Sequence, residues 1–162
     1  MTISPDARFL LRHPAHFLAL GFGSGLAPKA PGTFGTLVGL ALYPAIMPLP
    51  LPLQLAFIAA LFLAGIPICG KTGRSLGVSD HGSIVWDEIV AMLLVLAFTP
   101  RHWAWWLAAF ALFRLFDIWK PAPIRQLDAR LKGGFGVMLD DLLAAIYAVA
   151  ALQGMLWLTT RW

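Results

Sequence analysis

The chain has 162 residues, of which 59% are hydrophobic and 12% are charged, and its mean hydropathy is +0.77. A soluble domain of this length is nearer half apolar and a quarter charged, so the composition excludes an ordinary water-soluble domain and favours a membrane protein. An unusually apolar soluble helical bundle is the alternative. The net charge of +4 favours contact with anionic membrane lipids, and no nucleic-acid partner is expected. The length fits a single membrane-embedded domain over residues 1–162.

Five apolar segments predict an all-α fold, an integral membrane bundle of about five helices. The segments cover residues 35–48, 53–69, 84–98, 103–119 and 137–159. Most are shorter than the roughly 20 residues that cross a bilayer comfortably, so their ends are expected to be flanked by protein or to lie where the membrane is thinned. Pro44 and Pro67 interrupt the first two segments.

The stretches around these segments predict turns and one additional short helix. Residues 15–26, AHFLALGFGSGL, are interpreted as a short interfacial or re-entrant helix. The polar residues 70–83 predict a loop that contains His81, for which a proton-transfer role and simple solvation are both open. The single cysteine, Cys69, excludes an intrachain disulfide and is interpreted as inert packing.

Alternating crossings would bring the acidic helix ends and a glycine-rich stretch to one face of the membrane. Segments three and five begin at that face, and segment four ends there. Nine of the twelve basic residues lie at the same face, which the positive-inside rule makes cytoplasmic. The prediction requires every segment to cross the membrane. A re-entrant segment would return to its starting face and place the later helix ends on the opposite face.

Seven of the eight acidic residues fall between positions 80 and 141, and five of them stand at the ends of apolar segments. The five are Asp87, Glu88, Asp117, Asp140 and Asp141. Ionised carboxylates at the edge of hydrocarbon are costly unless they are paired, bound to metal or facing water. Carboxylate oxygens are hard ligands suited to Mg²⁺, so three acidic helix ends at one face predict a site for one or two such ions.

The alternative for the two acidic pairs is structural. Asp87 and Glu88 open one segment, and Asp140 and Asp141 open another, so each pair could cap a helix and complement its dipole. Asp117 lies near the end of its helix, where a carboxylate is unfavourable. Asp117 is therefore the acid for which the sequence most strongly predicts a functional role.

The glycine-rich residues 21–36, GFGSGLAPKAPGTFGT, predict a phosphate-binding turn before the first segment. Glycines such as Gly32 let backbone amides approach an anion, and a helix start adds partial positive charge. Lys29, Thr33 and Thr36 could donate hydrogen bonds to the phosphate. The stretch is neither a P-loop nor a dinucleotide fingerprint, and a tight entry turn into the first span is the alternative.

Residues 113–124, FRLFDIWKPAPI, place three charges at helical spacing. Arg114 and Asp117 are three residues apart, as are Asp117 and Lys120, so each pair is predicted to share a helix face. Arg114 could neutralise Asp117, or Arg114 and Lys120 could bind a phosphate. A purely structural ion pair is the alternative.

The chain lacks the motifs of phosphatases that form a covalent intermediate. It has no Cys-x5-Arg loop, no DxDx[TV] motif and no obvious pair of nucleophile and base. Their absence favours attack by metal-activated water, with Glu88 or Asp141 as possible acceptors of the water's proton.

Four stretches of the chain carry a resemblance to a known family. They are GFGSGLAPKAPGTFGT, GVSDHGSIVWDE, FRLFDIWKPAPIRQLD and GGFGVMLDD, in this order. Together they resemble bacterial phosphatidylglycerophosphatase A, and the resemblance extends from residue 16 to residue 150. There are small departures: Ala91 and Ala145 stand where glycine is expected after the acidic motifs, and Ala122 where a bulkier residue is common.

The resemblance implies a Mg²⁺-dependent, multi-pass phosphatase of the bacterial inner membrane with its active site on the cytoplasmic face. Its implied reaction is hydrolysis of phosphatidylglycerophosphate to phosphatidylglycerol and phosphate. The implied metal ligands are Asp87, Glu88, Asp117, Asp140 and Asp141, and all of these except Asp140 are implied in catalysis. The expected partners are the phospholipid substrate and membrane lipids, and the oligomeric state is left open.

Two other classes of protein fit the composition. A small ion-coupled transporter would use the acids as a proton or cation site, and would place them near the middle of the bilayer rather than at one face. A structural membrane subunit without chemistry would leave Asp117 and the glycine-rich stretch unexplained.

Overall fold

The structure, a computed structural model, describes residues 4–159. Every regular element in that range is helical, which confirms the predicted all-α fold. In chain order the elements are α1 (Ala7–Leu11), α2 (Pro14–Ala19), a 3-10 segment (Gly21–Leu26), α3 (Pro31–Ile46), α4 (Leu51–Leu76), α5 (Trp86–Ala97), α6 (Trp103–Trp119), α7 (Ile124–Arg130) and α8 (Gly134–Thr159).

Each of the five predicted segments corresponds to one of the longer helices, α3, α4, α5, α6 and α8. The predicted short helix at residues 15–26 is present as α2 and the 3-10 segment. The prediction of a loop over residues 70–83 is wrong in its first half, because α4 continues to Leu76 and is capped by Gly77 in the left-handed region (φ 81°). The last turns of α4 pack closely against the loop that follows, which favours their helical conformation. A side chain on Gly73 would come within 2.8 Å of the Ser79 carbonyl oxygen.

Two helices, α4 and α8, are each 26 residues long and apolar enough to cross a membrane. α5 has only 12 residues, so at 1.5 Å per residue it measures roughly 18 Å, well short of a hydrocarbon core of about 30 Å. It lies at the centre of the bundle, packed against α3, α4, α6 and α8, with Met92 and Leu96 fully buried. The short central helix is therefore surrounded by protein, as its length requires.

The long helices alternate in direction, so each end of the bundle collects the starts of some helices and the ends of others. At one end, Arg101 donates a hydrogen bond to the Met47 carbonyl oxygen (2.6 Å) and Gln153 donates to that of Phe98 (2.7 Å). At the opposite end α3, α5 and α8 begin and α4 and α6 end. We call this opposite end the polar end, because the acidic and glycine-rich stretches lie there.

The start of α5 is fixed against the 3-10 segment at the polar end. The Val85 amide donates a hydrogen bond to the Ala19 carbonyl oxygen at 2.8 Å. A side chain on Gly25 would overlap the Ser83 carbonyl oxygen, so this contact requires glycine. These contacts hold the first turn of α5, with its two acids, beside the end of α2 and the 3-10 segment.

Candidate metal centre at the polar end

Three carboxylates converge inside the polar end of the bundle. Asp87 and Glu88 occupy the first turn of α5, and Asp141 lies about two turns into α8. One carboxylate oxygen from each of the three lies within 4.8 Å of the other two. Asp87 is 7% exposed and Asp141 is 3% exposed. We call Asp87, Glu88 and Asp141 the carboxylate triad.

A fourth acid and one base adjoin the carboxylate triad from α6. Asp117 lies within hydrogen-bonding reach of Asp141. Arg114, one turn earlier, forms an ion pair with Asp117 at 2.5 Å and lies 3.8 Å from Glu88. The Arg114–Asp117 pair that the helical spacing indicates is therefore present. The group contains four acidic side chains and one guanidinium, so acidic groups are in excess where little water reaches them.

The carboxylate triad fits a divalent cation. Among residues 4–159, Asp87 Oδ1, Glu88 Oε2 and Asp141 Oδ2 are buried and have no hydrogen-bond partner. A buried carboxylate without a partner is costly, and oxygen-binding cations such as Mg²⁺ are natural partners for it. Opposite ligands of Mg²⁺ are about 4.2 Å apart, so oxygens already within 4.8 Å of one another need move only slightly to share one ion.

Asp140 is directed away from the carboxylate triad. Its carboxylate accepts a hydrogen bond from Lys120 at 2.6 Å, and Lys120 also binds Asp128 at 3.0 Å. Successive residues of a helix point about 100° apart, so α8 directs Asp141 towards the triad and Asp140 towards Lys120. This arrangement gives no support to the prediction that Asp140 is a metal ligand.

Lys120 pairs with Asp140 and Asp128 and forms no ion pair with Asp117 within residues 4–159. Lys120 caps α6 in the left-handed region (φ 46°), which turns its side chain out of the helical register. Burial alone would lower the pKa of Lys120, but the hydrogen bonds and charges of Asp140 and Asp128 outweigh this effect and raise the pKa. Its charge is already matched by two carboxylates, which weakens its predicted role in phosphate binding.

Gly32 brings the start of α3 directly against the site. A side chain on Gly32 would overlap Glu88 Oε1 and come within 3.1 Å of Arg114 Nη1, so this approach requires glycine. The fully buried Thr36 donates to the Gly32 carbonyl oxygen at 2.9 Å and accepts a hydrogen bond from Arg114 at 3.5 Å. Thr36 therefore positions Arg114, a role that sequence reasoning did not assign to it.

Lys29 and Thr33 flank Gly32 without contacting the triad acids by a hydrogen bond or ion pair. Lys29 is exposed and Thr33 is half-buried, and neither side chain has a polar partner within residues 4–159. Their role as phosphate donors stays a prediction. His81 accepts a hydrogen bond from the Ser83 amide at 3.1 Å, which gives it a local structural role in its turn.

Two features of the site have no signal in the sequence. An apolar cleft of about 290 Å³ lies between α4, α5 and α8, with Asp87 in its wall. Its lining comes from three helices that are far apart in the chain, so no local spacing indicates it. Asp128 reaches Lys120 across the turn between α6 and α7 rather than along one helix face, and was missed for the same reason.

Comparison with known proteins points to a bacterial family. The family model for phosphatidylglycerophosphatase A matches residues 17–156. The phosphatidylglycerophosphatase A of Haemophilus influenzae is 53% identical over 148 residues, which are 90% of this chain and 91% of the relative. That of Escherichia coli is 40% identical over 159 residues, 94% of this chain and 92% of the relative.

A third relative carries a different name. This protein of Bacteroides thetaiotaomicron, provisionally named a phosphatidylinositol-3-phosphatase, is 39% identical over 148 residues, 86% of this chain and 92% of the relative. No solved structure matches the chain. The family model covers the 3-10 segment and helices α3 to α7 entirely and most of α8, so it includes every residue of the site.

Proposed function

This chain belongs to the phosphatidylglycerophosphatase A family, and on that premise we propose that it hydrolyses phosphatidylglycerophosphate to phosphatidylglycerol and phosphate. The observation that carries the proposal is the carboxylate triad, three buried acids with one oxygen each within 4.8 Å. The names of all three relatives denote phosphatases of phosphorylated phospholipids. A buried acidic site at one end of an apolar bundle suits such a substrate.

Mg²⁺ is the proposed cofactor, with Asp87, Glu88 and Asp141 as its ligands. A bound Mg²⁺ would polarise the phosphate and lower the pKa of a water molecule. Three unpartnered carboxylate oxygens in the triad support this choice, because a cation would satisfy all of them. A carboxylate that binds the ion through one oxygen keeps its other oxygen free. Glu88 or Asp141 would accept the proton of the attacking water in this way.

Arg114 is the proposed phosphate-binding side chain. Its Nε is buried and has no hydrogen-bond partner among residues 4–159, while Asp117 and Thr36 hold its Nη1. A guanidinium presents several donors in one plane and is suited to phosphate oxygens. Gly32 supports the same role, because its amide belongs to the first turn of α3, where a helix leaves amides free for an anion.

The polar end is proposed to face the cytoplasm of a bacterial inner membrane, with α4 and α8 spanning the bilayer. Most of the exposed basic residues described lie at this end, on α1, α4, α7 and the turns beside them; they are Arg8, Arg12, Lys29, Lys71, Arg74, Arg125, Arg130 and Lys132. The positive-inside rule assigns such an end to the cytoplasm. In this orientation the acids would lie near the cytoplasmic side of the bilayer, whereas a transport pathway would need them near its middle.

Phosphate release by the purified protein in detergent tests the proposal. We expect Mg²⁺-dependent release of phosphate from phosphatidylglycerophosphate, with phosphatidylglycerol identified by mass spectrometry and activity abolished by EDTA. Asp117→Asn should lower the rate at least roughly tenfold, because Arg114 would lose the partner that positions it. The proposed reaction is wrong if phosphate is released from phosphatidylinositol-3-phosphate but not from phosphatidylglycerophosphate, or if its release does not depend on metal.

A further inference from the structure

We propose that the apolar cleft between α4, α5 and α8 binds one acyl chain of the phospholipid whose phosphate lies at the carboxylate triad. The inference rests on the proposed function and adds a binding site for the lipid tail. The cleft measures about 290 Å³, near the lower limit of ordinary ligand pockets. Asp87 is the single charged residue in its lining, and the other lining side chains are apolar.

The cleft runs lengthwise along α5, away from the triad. Asp87, Val90, Ala91 and Leu94 line it at the spacing of one helix face. From Asp87 to Leu94 is seven residues, which is roughly 10 Å along the helix axis. Asp87 therefore marks a polar end of the cleft, and the remainder extends towards the opposite end of the bundle.

The shape and polarity of the cleft suit an acyl chain. The cleft lies parallel to the spanning helices α4 and α8, which is the direction of a phospholipid tail in a leaflet. Asp87 lines the cleft and also belongs to the carboxylate triad, so a tail in the cleft and a phosphate at the triad can belong to one lipid molecule.

The wall formed by α4 gives access to the cleft from the surrounding lipid. Ala59 and Leu63 line the cleft and are exposed on the outer surface, Leu63 at 65%. Val90 and Ala91 form the floor and are each 3% exposed. A chain that moves from bilayer to cleft exchanges one apolar environment for another, so the cleft contributes by positioning the lipid rather than by hydrophobic transfer.

Kinetics with a filled cleft test the proposal. Ala59→Phe places a ring in the entrance, and Ala60→Phe is its matched control, since Ala60 is also exposed on α4 but does not line the cleft. We expect Ala59→Phe to lower kcat/KM at least fivefold for diacyl phosphatidylglycerophosphate and to leave kcat/KM unchanged for the deacylated head group. Ala60→Phe should change neither. An equal effect of Ala59→Phe on both substrates, or no effect on either, would overturn the acyl-chain site.

Photolabelling tests the same site without relying on catalysis. Phosphatidylglycerol with a diazirine in mid-chain is incorporated into proteoliposomes, irradiated, and the labelled residues are mapped by mass spectrometry. We expect label on Val90 or Ala91, which are each 3% exposed, and loss of that label in Ala59→Phe but not in Ala60→Phe. Label on exposed α4 residues alone would contradict the proposal. If the probe labels α5 in a protein that releases no phosphate, the proposed function is wrong but the lipid site is supported.

Discussion

The difference between Asp140 and Asp141 shows how finely the site depends on single positions. Both are buried acids on α8, at 6% and 3% exposure. Asp141 lies in the carboxylate triad, whereas Asp140 is neutralised by Lys120 at 2.6 Å. Two neighbouring carboxylates of similar burial therefore have different partners, and their substitution should have different consequences.

Replacement of Asp141 by asparagine should remove a metal ligand while preserving size. We expect Asp141→Asn to lower the Mg²⁺-dependent rate of phosphate release by roughly 100-fold or more, since even residues behind the ligands of a metal site commonly contribute 10- to 100-fold. Asp128→Asn is a suitable control, because Asp128 interacts with Lys120 outside the triad. Initial rates at saturating substrate measure the effect, and a loss below threefold in Asp141→Asn would exclude it as a ligand.

Gly32 provides a second prediction at the scale of the residue. Gly32→Ala should lower activity at least roughly tenfold, because its methyl group would overlap Glu88 Oε1 and displace Arg114 from the site. Gly154→Ala is the control: a methyl group there meets no atom within 4 Å, and alanine in place of a helical glycine stabilises by roughly 0.5–1 kcal/mol. Rates and melting temperatures of both variants distinguish the two cases. Normal activity in Gly32→Ala would show that the close approach of α3 is unimportant.

At the scale of the elements, Lys120 ties the end of α6 to α7 and α8. It binds Asp128 of α7 at 3.0 Å and Asp140 of α8 at 2.6 Å. The pairing holds the segment after α6 against α7 and the first half of α8, beside the triad but outside it.

Removing Lys120 should destabilise the fold through Asp140. Lys120→Met leaves the Asp140 carboxylate buried without a cation, and we expect a loss of roughly 2–4 kcal/mol in the free energy of unfolding. The double variant Lys120→Met/Asp140→Asn should recover a substantial part of that loss, because the buried charge is then absent. Denaturation in detergent measures the stability of Lys120→Met, Asp140→Asn and the double variant. Additive effects in the double variant would contradict the coupling.

The helices were largely predictable because apolar runs and their breaks are local properties of the sequence. α6 was predicted with its observed bounds, since Lys120-Pro121 follows its end. The extension of α4 to Leu76 was not, because it depends on packing of Gly73 against a later loop. Alternating crossings predicted that the acids lie at one end of the bundle. The partner of Asp140 could not be predicted, because it depends on the turn after α6 at Lys120, which no sequence periodicity indicates.

At the scale of the whole molecule, all four site acids and most exposed basic residues lie at the polar end. We expect Lys29→Cys to react with a membrane-impermeant maleimide only after permeabilisation of spheroplasts, because the positive-inside rule places this end in the cytoplasm. Leu49→Cys, in the exposed turn between α3 and α4 at the other end, should react in intact spheroplasts. Cys69 is buried and should give little background. The reverse pattern would invert the proposed topology.

Binding of Mn²⁺, a paramagnetic substitute for Mg²⁺, tests most directly whether the carboxylate triad holds the metal. Electron paramagnetic resonance measures free Mn²⁺ during titration of the wild-type protein, Asp141→Asn and Asp140→Asn. We expect saturable binding by the wild type, at least tenfold weaker binding by Asp141→Asn, and affinity within threefold of the wild type for Asp140→Asn. Absence of saturable binding by the folded wild-type protein, or equal weakening in the two variants, would contradict a metal centre at Asp87, Glu88 and Asp141.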